Sequence, residues 1–373
     1  MFDPLNEEMV NRAFGSTITR LIHKENLTRE ESKQAFVTVL NNQTTDMQQG
    51  AFLSALTAKG ETHQEVAGAW EAIYDLDTIK IKIDKRLRLA ENSGTGMDTF
   101  KTFNISTAAS VIAAAGGVPM ARHGARALTS VCGTVDMAEA LGVDVECPAD
   151  MVAKSIETCG LGLFNGMSPL IHPMALSRIL SRIFFGSTLN IAASLANPAL
   201  PSIGVRGVYS RQMIRPVAEV MKEIGYTRAL VLHGAIENSD KGMDEASVCG
   251  PTHCARIDEG SDIEMFTIYP EKLGLGVIDP GQLSPEKDIQ AESKRFVALM
   301  SNRESSARKD AALLNAGLIF LAAGSAKSLD LGIEKAAHIL ESGTAFETLE
   351  NWVKSQNHDP DQGLIRLHRL AQP

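Results

Sequence analysis

The 373-residue chain has no apolar run long enough to cross a bilayer as a helix, so a helical membrane span is not expected. Its first residues, Met1-Phe-Asp-Pro-Leu-Asn-Glu-Glu8, lack both a basic start and an apolar core, and a secretory signal is not expected either. Cysteine is sparse, with five residues, an odd number, scattered widely. That excludes a disulfide framework and points to a reduced, cytoplasmic protein. Cationic charge is also short: 36 Lys and Arg stand against 45 Asp and Glu, a net charge of −9. Nonspecific nucleic-acid binding needs a cationic face, so nucleic acid is not the expected partner on this count. There is no internal repeat and no low-complexity tract. What remains is ordinary globular composition, 44% apolar and 22% charged, in a chain long enough for one large domain and a smaller satellite.

Two patterns divide the chain. Up to about Leu76 it reads as a helical unit. Thr28-Arg-Glu-Glu31 and Thr62-His-Gln-Glu65 are capping boxes, Asp46 is a third N-cap candidate, and Gly60 ends the helix carrying Phe52, Leu53 and Leu56. From Ile81 short apolar runs such as Ala229–Leu232 alternate with helical stretches such as Ser210–Ile224, which argues for a helix-covered α/β sheet.

The most informative passage is Asn92-Ser-Gly-Thr-Gly-Met-Asp98, continued by Thr102-Phe-Asn-Ile-Ser-Thr107. Arg86–Ala90 reads as a strand before it, and Ser106–Ala115 as a helix after it. Bare backbone at Gly94 and Gly96 suits close approach to an anion, and Ser106 and Thr107 add hydroxyls at a helix N-terminus. Further on, Asp244 and Glu245 are adjacent carboxylates, either hard ligands for magnesium or an acidic helix start. Cys249-Gly-Pro-Thr-His-Cys254 lacks a second ligand pair and is not read as a zinc site.

The glycine loop resembles the phosphoribosyl pyrophosphate loop of the anthranilate phosphoribosyltransferase family, G-T-G-x-D-x-x-x-T-F-N-I-S-T. Three later blocks resemble that family in order: Arg122-His-Gly-Ala-Arg126 with Thr129, Ser130 and Asp136–Gly142; Gly242-Met-Asp-Glu-Ala-Ser247; and Ser306–Asn315. The resemblance implies a small helical N-terminal domain (1–78, joined by about 183–200), a large α/β domain of the transferase and nucleoside phosphorylase type (79–373), a cleft between them, and a homodimer. It implies transfer of phosphoribose from phosphoribosyl pyrophosphate to a small aromatic or heterocyclic acceptor. Carried over by position, Gly94, Thr95, Gly96, Asp98, Thr102, Asn104, Ser106, Thr107, Arg122, Ser130 and Thr134 would surround the phosphoribosyl pyrophosphate. Asp98, Arg122 and His123 would serve catalysis, and Ser106, Asp244 and Glu245 would hold magnesium.

Departures from the family pattern are informative too. Met97 and Thr99 stand where the family has glycine, and Arg122 replaces a lysine. On the acceptor side Ala125 replaces an asparagine and Gly186 an arginine, so a carboxylate entering there would lose two polar partners. Anthranilate is therefore not the expected acceptor, unless Arg126, Arg178 or Arg182 supplies the cation from another direction. His172-Pro173 resembles the segment lining the acceptor tunnel, and the insert Glu237–Asp240 is longer than expected. Two other readings stay open: a pyrimidine nucleoside phosphorylase, because Cys132-Gly-Thr-Val-Asp136 is similar to a G-G-T-x-D segment, and a non-catalytic nucleic-acid-binding relative.

Overall fold

The computed structural model describes residues 4–96, 98–127, 131–276 and 278–372, with side chains from Glu8 onward. Four helices come first: α1 (Pro4–Ile22), α2 (Arg29–Leu40), α3 (Asp46–Lys59) and α4 (His63–Asp77). Both expected capping boxes form, Thr28 with Glu31 and Thr62 with Glu65. At α3 the cap is Thr45, whose side chain accepts from Gln48 N, and Asp46 is the first helical residue. There it still faces the positive end of the helix dipole. The apolar faces of these helices meet in one cluster around Phe36, Phe52, Leu53 and Leu56.

The rest alternates strand and helix: β1 (Ala90–Gly94), α5 (Ile105–Ala115), β2 (Met120–Gly124), α6 (Thr134–Leu141), α7 (Ala149–Cys159) and β3 (Leu161–Asn165). Two short helices follow, α8 (Leu176–Ile183) and α9 (Thr188–Leu195), then β4 (Ile203–Gly207), α10 (Ile214–Glu223), β5 (Arg228–Ala235), β6 (Gly242–Met243), β7 (Thr252–Asp258) and β8 (Glu264–Ile268). Five helices close the chain: α11 (Ile289–Met300), α12 (Ala307–Ala323), α13 (Leu329–Glu341), α14 (Thr344–Ser355) and α15 (Pro360–Ala371).

The sheet order is β3-β2-β1-β4-β5-β7-β8, parallel from β3 to β5 and antiparallel beyond, with β6 paired to β5. The strand expected at Arg86–Ala90 begins only at Ala90, because Leu87 and Leu89 pack in a side cluster before the ladder starts. Alternate residues feed opposite faces. Leu230 and Leu232 join the cluster under α5 and α12, while Ala229 and Val231 join the helical-unit cluster with α10 and α9. Trp70 of α4 donates to Leu195 O, fastening α9 to the helical unit. From β1 the chain winds one way to β2 and β3, and later the other way to β4 and β5. The crevice above the ends of β1 and β4 is thus the switch point where α/β sheets take ligands.

Candidate active site

Gly94 ends β1 at this switch point. A Cβ on Gly94 would lie 2.1 Å from Asp244 Oδ2, and one on Gly207 would lie 1.4 Å from Asp244 O. Both glycines are bare to seat the Asp244 segment, a reason separate from the expected close approach of an anion. Gly96, at φ +70°, turns its N–H to Asp244 Oδ2 at 2.7 Å. Thr95 N donates to Gly207 O at 3.0 Å, so the loop is tied to β4.

Asp98, Asp244 and Glu245 offer carboxylate oxygens all within 4.8 Å of one another. The segment after Met243 is not helical, so the acidic-helix-start reading of the pair fails. Asp98 joins the two residues expected to hold metal, and its near cation is Lys101, at 2.6 Å. Burial first, and then the charge of Asp244, push the Asp98 carboxyl up to about 6. Burial and both neighbouring carboxylates raise Glu245 well above the ordinary range. Three mutually repelling carboxylates in a partly desolvated crevice fit a hard divalent cation such as magnesium.

Helix α5 points its first turn at the same place. Thr102 Oγ1 and Ser106 Oγ each lie 3.4 Å from a Glu245 carboxylate oxygen. Asn104 donates to Cys132 O at 3.2 Å, bringing the segment before α6, and hence Thr134, alongside. Arg122 is buried under this turn, donating to Thr107 Oγ1 at 2.7 Å and Asn92 O at 3.3 Å. Its guanidinium therefore braces the loop and helix. Ser130, with Thr129 and Met97, lies outside the described residues.

On the acceptor side, Ala125 follows β2 with its carbonyl taken by Val135 N. His123 and His172 meet through their Nε2 atoms at 3.1 Å, both buried. Gly186 is exposed between α8 and α9. The expected substrate role of Arg182 does not match its position: it is exposed and pairs with Asp46 at 3.1 Å, on the outside of the helical unit. The other two arginines are also engaged. Arg178 donates to Gln49 and Val39 O, and Arg126 pairs with Asp136, Glu139 and Glu146. Asp136 also holds the turn by accepting from Ala127 N and Gly133 N, a structural role for the phosphorylase-like segment.

Arg206, missed in the sequence, is fully buried on β4 and donates to Ser93 Oγ at 2.5 Å and to Ser194 Oγ. Glu91 lies 3.9 Å away, and burial raises its carboxyl pKa despite the opposing charge of Arg206. The only sequence signal was a charged residue inside the apolar run Ile203–Val208.

Residues 86–346 match the glycosyl transferase family α/β domain, and residues 16–76 match that family's helical bundle domain. The chain is 32% identical over 345 residues to the anthranilate phosphoribosyltransferase of Methanothermobacter marburgensis, covering 91% of this chain and 97% of that protein. This chain belongs to the anthranilate phosphoribosyltransferase family. A second member, from Persephonella marina, is 33% identical over 337 residues, 89% of this chain and 96% of the other. Among solved family structures, the Thermus thermophilus enzyme superimposes with a TM-score of 0.82 at 30% identity, over 91% of this chain and 98% of that one. The Saccharomyces cerevisiae enzyme in complex with PRPP and Mg has a TM-score of 0.80 at 20% identity, over 92% and 98%, and supports the fold alone. As a family member the protein is an enzyme, a glycosyltransferase of the pentosyltransferase class.

Proposed function

We propose that this enzyme moves phosphoribose from phosphoribosyl pyrophosphate to the nitrogen of a small aromatic or heterocyclic acceptor other than anthranilate, releasing pyrophosphate. The observation that carries the reading is the trio Asp98, Asp244 and Glu245, gathered against the Gly94–Gly96 loop and the first turn of α5. Asp98, Asp244, Glu245 and Ser106 are the residues that would hold magnesium, which would neutralise charge on the pyrophosphate leaving group. The loop amides, Thr102, Asn104, Thr107 and Thr134 would position the phosphates. The reaction needs positioning and charge stabilisation more than a protein nucleophile. An acidic net charge and a retained carboxylate trio weigh against a nucleic-acid-binding relative.

The acceptor proposal is supported by the residues beside the two losses. Ala125 and Gly186 offer no side-chain donor, and Arg126, Arg178 and Arg182 are each paired elsewhere. One lost hydrogen bond to a charged group costs ~1.5–3 kcal/mol, so two lower efficiency by roughly two to four orders of magnitude. Anthranilate consumption, followed by its fluorescence with excess phosphoribosyl pyrophosphate and magnesium, should be slow by that amount against an ordinary family enzyme. Ala125→Asn with Gly186→Arg should raise it. Turnover at the ordinary family rate would sink the acceptor proposal. If anthranilate turns over slowly, a thermal-shift screen of aromatic amines and nucleobases, with phosphoribosyl pyrophosphate and magnesium present, would find the acceptor.

The same proposal places the division between units after Thr78 and makes the protein a homodimer. Met47 at the start of α3 and Leu180, Phe184 and Phe185 on and just after α8 are exposed large apolar residues, and they support the dimer as the side chains a second copy would cover. Five unpaired thiols support a reducing, cytoplasmic location, and no helix among the described residues is long and apolar enough to cross a membrane.

A further inference from the structure

Two features that the sequence set apart, the insert Glu237–Asp240 and Thr99, meet beside the carboxylate trio. The insert lies in the hairpin between β5 and β6, which pairs Gly234 with Met243 and Ala235 with Gly242. Inside the hairpin Ser239 N donates to Ile236 O at 3.3 Å, and Lys241 N donates to Ser239 Oγ at 3.1 Å. Glu237 N donates to Cys249 O at 2.8 Å, tying the hairpin back to the body of the domain. Gly242 therefore sits on a fixed post. A Cβ there would lie 2.3 Å from Nε2 of His233, whose Nδ1 in turn meets Val208 O at 2.8 Å.

Thr99, standing where the family has glycine, grips this post from the glycine loop. Gly242 N donates to Thr99 Oγ1 at 3.0 Å, and the Thr99 hydroxyl donates to Gly242 O at 3.3 Å. Phe100 N also donates to Gly242 O, at 3.1 Å, and the Phe100 ring packs against the large core. A glycine at this position, having no hydroxyl, would keep only the last of the three bonds.

The grip joins the two halves of the trio. Asp98 is the residue before Thr99, and Asp244 and Glu245 come two and three residues after Gly242. Their carboxylate oxygens lie within 4.8 Å of one another, and like charges that close push the segment carrying Asp98 away from the other two. Lys101, 2.6 Å from Asp98, offsets part of that push. Before Asp98 the loop is held by Gly96 N, 2.7 Å from Asp244 Oδ2; after it, the bonds to Gly242 do the holding.

We propose that Thr99 is a positioning residue that clasps the glycine loop to β6, so that the three carboxylates are assembled before substrate arrives and the free enzyme takes a divalent cation ahead of phosphoribosyl pyrophosphate. This role rests on the transferase reading above. The Thr99 hydroxyl is used by Gly242 in both directions, so it acts through Asp98 and not as a ligand. Ordering a loop costs conformational entropy, and a loop already ordered in folding takes less from the free energy of binding.

The test uses the full-length protein with Mn²⁺ as the probe of the divalent site, followed by the paramagnetic resonance of the free ion. Thr99 is an exposed residue, so its variants should fold. Asp244→Ala with Glu245→Ala sets the background of weak surface binding. Without phosphoribosyl pyrophosphate, wild type and Thr99→Ser should bind Mn²⁺ above that background. Thr99→Val and Thr99→Gly should bind it about ten-fold more weakly, the scale of one or two lost hydrogen bonds. Hydrogen exchange reads the clasp apart from the substituted bond. The Phe100 amide, whose partner Gly242 O stays in place, should exchange about ten-fold faster in Thr99→Val and Thr99→Gly. Wild-type Mn²⁺ binding no stronger than background overturns the proposal. So does either readout left unchanged in both weakened variants, or Thr99→Ser behaving like Thr99→Val. Calorimetry separates the two claims: a wild type that holds Mn²⁺ and protects Phe100 yet binds no phosphoribosyl pyrophosphate sinks the transferase reading and leaves the clasp measured.

Discussion

Asp98 sits where carboxylates repel one another, with Asp244 and Glu245 in reach and Lys101 paired against it. Its raised pKa means the folded, metal-free protein holds that proton more tightly than the unfolded chain does. The stability it contributes is therefore complete below the unfolded value and is lost as pH rises through about 6. Asp98→Asn removes the repulsion. In chelator at pH 7.5 or so it should melt higher than wild type, and the difference should shrink as pH falls toward 4. With magnesium and phosphoribosyl pyrophosphate the ranking should reverse. Equal melting at both pH values would show that the three carboxylates do not strain the resting site. The sequence made the Asp244-Glu245 pair legible through its spacing after Gly242. It did not reveal that Asp98 closes the trio, because that depends on Gly94 and Gly207 leaving room for Asp244, a fit visible only in three dimensions. Arg206 was opaque for a similar reason: its partners Ser93 and Ser194 lie far away in sequence and meet it only across the sheet and α9.

Among the elements, α4 and α8 are joined by one carboxylate. Asp77 ends α4 and accepts from Met174 N, Ala175 N and Leu176 N at the start of α8, while its own carbonyl takes His172 Nδ1. Hydrogen bonds to charged groups are worth about 1.5–3 kcal/mol each, and their loss here strands buried donors. Asp77→Ala should cost roughly 3 kcal/mol or more of unfolding free energy in a denaturant titration, against about 1 kcal/mol for removing an ordinary cap at Thr62. Costs of equal size would deny Asp77 this joining role. Helices were readable because their caps and apolar spacing are local; the capping boxes at Thr28 and Thr62 formed as expected. The first strand was misplaced for a physical reason. Its residues Ala90-Glu-Asn-Ser-Gly94 are mostly polar, and the side chains of Asn92 and Ser93 pair with Ser106 O and Arg206 of neighbouring elements. The apolar Leu87 and Leu89 beside it pack in a side cluster ahead of the strand, with Leu89 O accepting from Ile203 N, so hydrophobic pattern pointed four residues too early.

For the whole molecule, the α/β sheet and its helical partner leave two surfaces of consequence, the crevice over β1 and β4 and the apolar face of α8. The second predicts association: sedimentation at micromolar concentration should give a dimer, and Leu180→Asp with Phe184→Asp should give a folded monomer. A wild-type monomer would remove that role from the face. The first carries the central claim, that a carboxylate trio beside a glycine loop binds phosphoribosyl pyrophosphate through magnesium. Carboxylates aimed at a pyrophosphate repel it unless a cation lies between them. Titration calorimetry of phosphoribosyl pyrophosphate, with and without magnesium, on wild type and on Asp244→Ala with Glu245→Ala is the direct measurement. Binding should require magnesium in the wild type, and the double variant should lose at least ten-fold in affinity together with the metal dependence. Equal affinity in both proteins, with or without magnesium, would contradict the account.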